Sequence, residues 1–182
     1  MGDLSSSTNP PDDHVTLIEE IDQIMEHWSD EQQEFAEKEE KLQAERSHFL
    51  ADYETLADSV IKPTMHAIVG RLEQDGGGGS VWEGTVGDKH PGRLILWMSL
   101  RGKLTETPRQ DRNPYLQLDL NPGGRRVDVW EGDMWEGRGT SRDSTPWQLS
   151  EITADAVTQR VLGILERATE HGGEFDPPVP FG

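Results

Sequence analysis

The sequence predicts an α+β fold: a long N-terminal coiled-coil helix, then a small two-layer domain of a four-stranded antiparallel meander with a C-terminal helix packed on one face. Three observations carry this. Large apolar residues recur every seventh position from Ile21 through Trp28, Phe35, Leu42 and Phe49 to Leu56. From Ser80 onward the apolar period shortens to two. After Thr153 it returns to helical spacing.

The heptad line has a companion three residues ahead of it: Ile18, Met25, Gln32, Glu39, Arg46, Tyr53 and Val60. Together they form an a/d seam, with Ile18 at a and Ile21 at d, over about six heptads. Such a helix is too long to be covered by one small domain, so its seam calls for a partner. The oligomerisation seam is read as Ile21, Trp28, Phe35, Glu39, Leu42, Arg46, Phe49, Tyr53 and Leu56. Gln32, Glu39 and Arg46 fall at three consecutive a positions, where polar residues fix register and partner choice. A parallel in-register homodimer would set Glu39 against Glu39 and Arg46 against Arg46. An antiparallel pair centred near Leu42 and Gln43 would bring Glu39 close to Arg46, and a heteromeric partner could supply the complementary charges instead.

Residues 1–13 are polar and contain Pro10-Pro11, which predicts a disordered tail. The long helix is expected over residues 14–62, entered through a capping box at Thr16 and Glu19 or from Asp13. Ser29 with Gln32 offers a second helix start, but the heptad phase passes through it without a skip. Pro63 should end or kink this helix, and a short connecting helix follows over residues 63–75, burying Met65, Ile68, Val69 and Leu72. Residues 76–80 read as a Gly-rich flexible linker.

The head domain is expected over residues 81–170. Its strand candidates cover residues 80–86, 93–101, 114–120 and 125–131. Leu94, Leu96, Met98, Leu116, Leu118, Leu120, Val127 and Val129 share one face. Ile95, Trp97, Tyr115, Gln117, Asp119, Arg126, Asp128 and Trp130 lie on the other. The turn Asn121, Pro122, Gly123, Gly124 joins the last two strands. Residues 132–147, rich in Gly, Arg and Ser, read as a long loop. Thr153 then caps a helix whose stripe of Val157, Val161, Ile164, Leu165 and Ala168 suits the leucine-rich face. Residues 171–182 form a Pro-rich tail expected to be disordered.

Composition narrows the function. The 182-residue chain carries a net charge of −18, most of it in the first 75 residues. Phosphate neutralisation needs a basic surface, so the balance argues against nucleic-acid binding and favours a basic partner. There is no cysteine, hence no disulfide and no thiolate metal site. The six histidines are scattered without ligand spacing, and no metal or other cofactor is expected. Neither a secretory signal nor an apolar run of spanning length is present, which predicts a cytoplasmic protein without a membrane segment. No nucleophile elbow or cysteine–histidine pair points to catalysis, and the stalk carboxylates have no cleft to tune them.

What remains is recognition. Trp-Glu-Gly occurs three times, at Trp82, Trp130 and Trp135. Trp82, Trp97, Tyr115, Trp130 and Trp135, with Arg138 and Arg142 from the Arg/Gly-rich loop, are the candidate partner- or ligand-binding residues. The aromatic sheet face needs a shield, for which the 63–74 helix, Met134 with Trp135, or a second protomer is available. The expected function is a non-catalytic interaction or assembly protein, pairing with itself or with a heteromeric coiled-coil protein. The alternative is a ligand-binding or regulatory module in which the Arg/Gly loop and the aromatic face recognise an anionic small molecule or peptide. A buried carboxylate beside an arginine in a polar pocket would favour that alternative.

Overall fold

The structure, a computed structural model, describes residues 12–84, 92–104, 107–135 and 138–172. The expectations for most of the N-terminal tail, for the last two residues of the 80–86 strand candidate, and for nearly all of the C-terminal tail lie outside the described residues. The protein is α+β, with a long N-terminal helix, a five-stranded antiparallel sheet and a C-terminal helix. The chain divides into two units, Met1–Glu45 and Arg46–Gly182.

The described residues of the first unit are all helical. Helix α1 covers Asp12–Leu56, starting in this unit and ending in the second. Within the first unit its surface carries i,i+4 contacts: His27 with Glu31, Lys38 with Glu34, and Gln33 with Glu37. Each is solvent-exposed and contributes a few tenths of a kcal/mol at most.

In the second unit the strands run β1 (Gly78–Glu83), β2 (Leu94–Ser99), β3 (Tyr115–Asn121), β4 (Arg126–Gly132) and β5 (Ser141–Trp147), in that spatial order. Four strands were expected; the fifth is a correction. Its sequence, SRDSTPW, has no apolar alternation and includes Pro146. It lies at the sheet edge, where charge and proline discourage further pairing and only one side needs a partner. Part of the presumed 132–147 loop is therefore sheet. Gly78, Gly79 and Ser80 were read as linker and instead form the start of β1. The reason for glycine here is close approach. A Cβ on Gly79 would lie 2.9 Å from Val69 Cγ2 and equally near the Trp97 carbonyl oxygen.

One face of the sheet holds the core. Leu94, Leu96, Met98, Leu116, Leu118, Val127 and Val129 are buried there with Trp147. Helix α3 (Ala154–Gly172) contributes Val157, Val161 and Ile164 to the same cluster. Thr153 caps it, its hydroxyl accepting from the Ala156 N–H, and Ile152 and Val157, on either side of the first turn, are both buried, as in a hydrophobic staple. One helix does not suffice. Tyr53, Ala57, Ile61 and Met65 join the same cluster, so the end of α1 and helix α2 (Lys62–Gln74) also cover the leucine face. The 63–74 helix therefore does not shield the aromatic face, the first of the three shields considered.

Pro63 neither ends nor interrupts the helix. A π-helical turn, Ala57–Ile61, links α1 to α2, with the Lys62 N–H reaching back to the Ala57 carbonyl. Proline has no N–H to give the carbonyl four residues earlier, and its ring crowds that group. A wider turn just ahead accommodates both demands. It also serves packing. Four residues overshoot an α-helical turn by about 40°, so Tyr53, Ala57, Ile61 and Met65 would spiral off one face. The wide turn takes back part of that drift.

Tyr53 anchors the arrangement with a hydroxyl that donates to the Gly92 carbonyl at 2.8 Å. Burial pushes its phenol well above the ordinary value near 10, with Asp119 and Glu83 adding to the shift. Lys62 bridges Asp58 at 2.8 Å and Glu83 of β1 at 2.6 Å, and these bonds raise its ammonium pKa.

Two outcomes follow. Ile61→Ala, at a fully buried site, should cost about 3 kcal/mol in chemical denaturation. Because the folded state raises the Tyr53 pKa, its stabilising contribution is complete below pH 10 and is lost as pH climbs above that value. Thermal melts at about pH 8 and about pH 11 should show a steeper alkaline loss for the native chain than for Tyr53→Phe.

Candidate interaction surfaces

Three places gather residues that could recognise something: the first-unit helix, the outer sheet face and a buried ion cluster.

On the helix, the large apolar residues of the first unit, at and beside the seam, stand in solvent. Leu17, Ile18, Ile21, Ile24, Met25, Trp28, Phe35 and Leu42 are each 50–66% exposed. Glu39 and Arg46 are exposed as well. The seam does not continue free through the second unit. Phe49 and Tyr53 are buried there and Leu56 is half-buried against the core, so the last three seam positions are already occupied.

The outer sheet face is ordered by strand register. One cross-strand row reads Trp82, Ile95, Gln117, Trp130, Asp143. The next reads Ser80, Trp97, Tyr115, Gly132, Ser141. Trp97 and Tyr115 sit side by side, with ring centroids 5.3 Å apart and planes tilted by 47°. The Tyr115 ring lies over Gly132, where any Cβ would collide with it, and its hydroxyl pairs with Ser141 on β5. Tyr115 is thereby buried on its own sheet, and Gly132 is the residue that permits it. Gln117 is also buried, bonded to Asp119 and to Gln110 from the 100–114 connection. Asp119 and Asp128 face each other across β3 and β4, and each is paired with an arginine, Arg93 and Arg126. Trp82 and Trp130 remain about 40% exposed, three strands apart in one row.

Of the loop candidates, Arg142 does not join them. Arg142 is the cross-strand neighbour of Glu131, on the core side, opposite Ser141 and the aromatic pair. Trp135 is buried and pairs through its backbone with Arg138, whose side chain is exposed.

The third place was not anticipated. Glu131 and Asp133, each only 2% exposed, lie among three arginines. Glu131 Oε1 accepts from Arg142 at 2.8 Å and from Arg167 at 2.9 Å, and Arg160 approaches Oε2 at 3.5 Å. Arg167 also bonds Asp133 at 2.9 Å, and the Thr140 N–H donates to the same carboxylate at 2.6 Å. Arg160 stacks over the Trp147 ring, 5.6 Å from its centroid. The sequence held the signal: alternation carries the inward line Val127, Val129 on to Glu131. Arg160 and Arg167, one heptad apart, border the apolar stripe of α3. The carboxylate beside an arginine is present, but Arg142 and Arg167 already bond Glu131 Oε1, and Arg167 also bonds Asp133. Arg160 stands at ion-pair distance from Glu131 Oε2, which accepts no hydrogen bond. The cluster closes one end of the core and ties β4, β5 and α3 together. No grouping of three or more His, Cys, Asp or Glu suited to a metal occurs among the described residues. No described helix is long and apolar enough to cross a membrane.

No protein-family model, curated protein or solved structure matches the chain.

Arg167→Ala would leave Glu131 and Asp133 buried with fewer partners. Arg167 itself is partly exposed, so the loss should fall near the low end for a broken buried pair, about 3 kcal/mol. A urea titration that showed no loss would mean the cluster contributes little.

Proposed function

We propose that this is a non-catalytic interaction protein that docks through the exposed seam of its first-unit helix, coiled-coil fashion, and carries the α+β head to the resulting assembly. One observation supports the reading above the others. Eight large apolar side chains, from Leu17 to Leu42, are at least half exposed along one side of a helix. Monomeric soluble proteins rarely leave so extended an apolar stripe uncovered. Covering it would release on the order of 10 kcal/mol of apolar burial before the costs of association. The stripe keeps heptad spacing from Ile18 to Leu42, the spacing that knobs-into-holes packing requires.

A photo-crosslinking residue at Trp28 or Phe35, in the full chain expressed in its native cells, should capture a discrete partner band. That band is either a second copy or another protein. The same residue at Gln33 or Glu37, off the seam, should not. Equal capture at all four positions, or none at any, would refute the docking reading.

A further inference from the structure

The exposed seam does not specify its occupant, but the charge around it does. Residues 17–37 contain eight acids and no lysine or arginine. Asp22 and Glu31 fall at e and g, beside the seam, and the other six fall at b, c and f on the outward faces of the helix. The apolar stripe is widest where Leu17, Ile18, Ile21, Ile24, Met25 and Trp28 fill g, a and d positions.

A second copy fits poorly in either orientation. In parallel register it would set Glu39 against Glu39 and Arg46 against Arg46 in the seam, and lay two helices of the same high negative charge along one another. The antiparallel alignment that brings Glu39 near Arg46 is centred near Leu42 and Gln43, so it must use the stretch from Phe49 to Leu56 as seam. Phe49 and Tyr53 are buried in the second unit and Leu56 packs against its core. The head has taken the residues that this alignment needs. Moving the centre towards Asp30 frees the alignment from the head, but it then stacks the acidic stretch upon itself.

We infer that the occupant is a basic amphipathic helix of a different chain, with an apolar seam bordered by lysine or arginine and a cation placed to meet Glu39. This rests on the docking reading above and adds the chemistry of the partner. Such a helix covers the apolar stripe and meets Asp22, Glu31 and Glu39 with cations in the same act. Its net positive charge offsets the outward acids at longer range, which steers encounter and selects against self-pairing.

Two synthetic 28-residue helical probes test this against the full chain. They share one Ile/Leu seam and differ only in carrying Lys or Glu at the flanking and outward positions. The chain should bind the Lys probe roughly 100-fold more tightly than the Glu probe at low salt. That preference should shrink about tenfold on raising the salt towards 0.5 M. The triple variant Ile21→Asp, Trp28→Asp, Phe35→Asp alters only exposed seam positions and should bind neither. Equal, seam-dependent binding of both probes overturns the basic partner while docking stands. So does self-association at concentrations below those that take up the Lys probe. Binding of the Lys probe that the triple variant leaves intact, or no binding of either probe, overturns docking itself and this inference with it.

Discussion

The leucine-rich face of the sheet is wider than one helix can cover, and the architecture of the second unit follows from that. Helix α3 covers part of it. The remainder falls to Tyr53, Ala57, Ile61 and Met65, on three successive helical segments held in line by a π turn. Removing apolar surface from water is the dominant favourable term in folding. Here it recruits the end of a helix whose earlier residues have no part in the core. The last heptads of the apparent seam are therefore intramolecular, although in sequence they resemble the first.

Charge is handled differently in the two units. The first carries its acids on a solvated helix, where each is cheap and weakly coupled. The second withdraws two carboxylates almost wholly from water and surrounds them with guanidinium groups. Buried ion clusters of this kind add little net stability relative to an apolar core, but they penalise the wrong arrangement heavily. Arg142 and Arg167 share one Glu131 oxygen, so β5 and α3 are bound to the same point on β4. An edge strand with almost no apolar content is fixed in register in this way.

Most of the fold was legible because period and burial agree where one face is wet and the other dry. Strands β2, β3 and β4 and the cap of α3 fall within two residues of where alternation and capping chemistry place them. Strand β5 was not legible, since polar edge strands lack the alternation that identifies a strand. The passage through Pro63 was hidden because proline's steric demand is local, whereas the tertiary packing that overrides it is not. Of the candidate surface residues, Trp97 and Tyr115 do meet, as their shared face implies. Arg142 was placed with them only because its strand was taken for a loop, and in a strand the one-residue offset from Ser141 sends it to the other face. Glu131 was overlooked by halting an inward series one residue early.

By composition, the tetraglycine ahead of Ser80 is the most permissive stretch of the chain, the place where an engineer would insert a tag or split the protein. The geometry reverses that judgement. With Val69 of α2 and the Trp97 carbonyl packed where a methyl group on Gly79 would stand, this seemingly slack segment has almost no sequence freedom. Gly77, Gly78 and Gly79 are there for their small size, and Gly76, with open space around it, for its positive φ. The better insertion points are the solvent-facing Gly123 and Gly124 at the β3–β4 turn, where added residues displace water and leave the packed core alone.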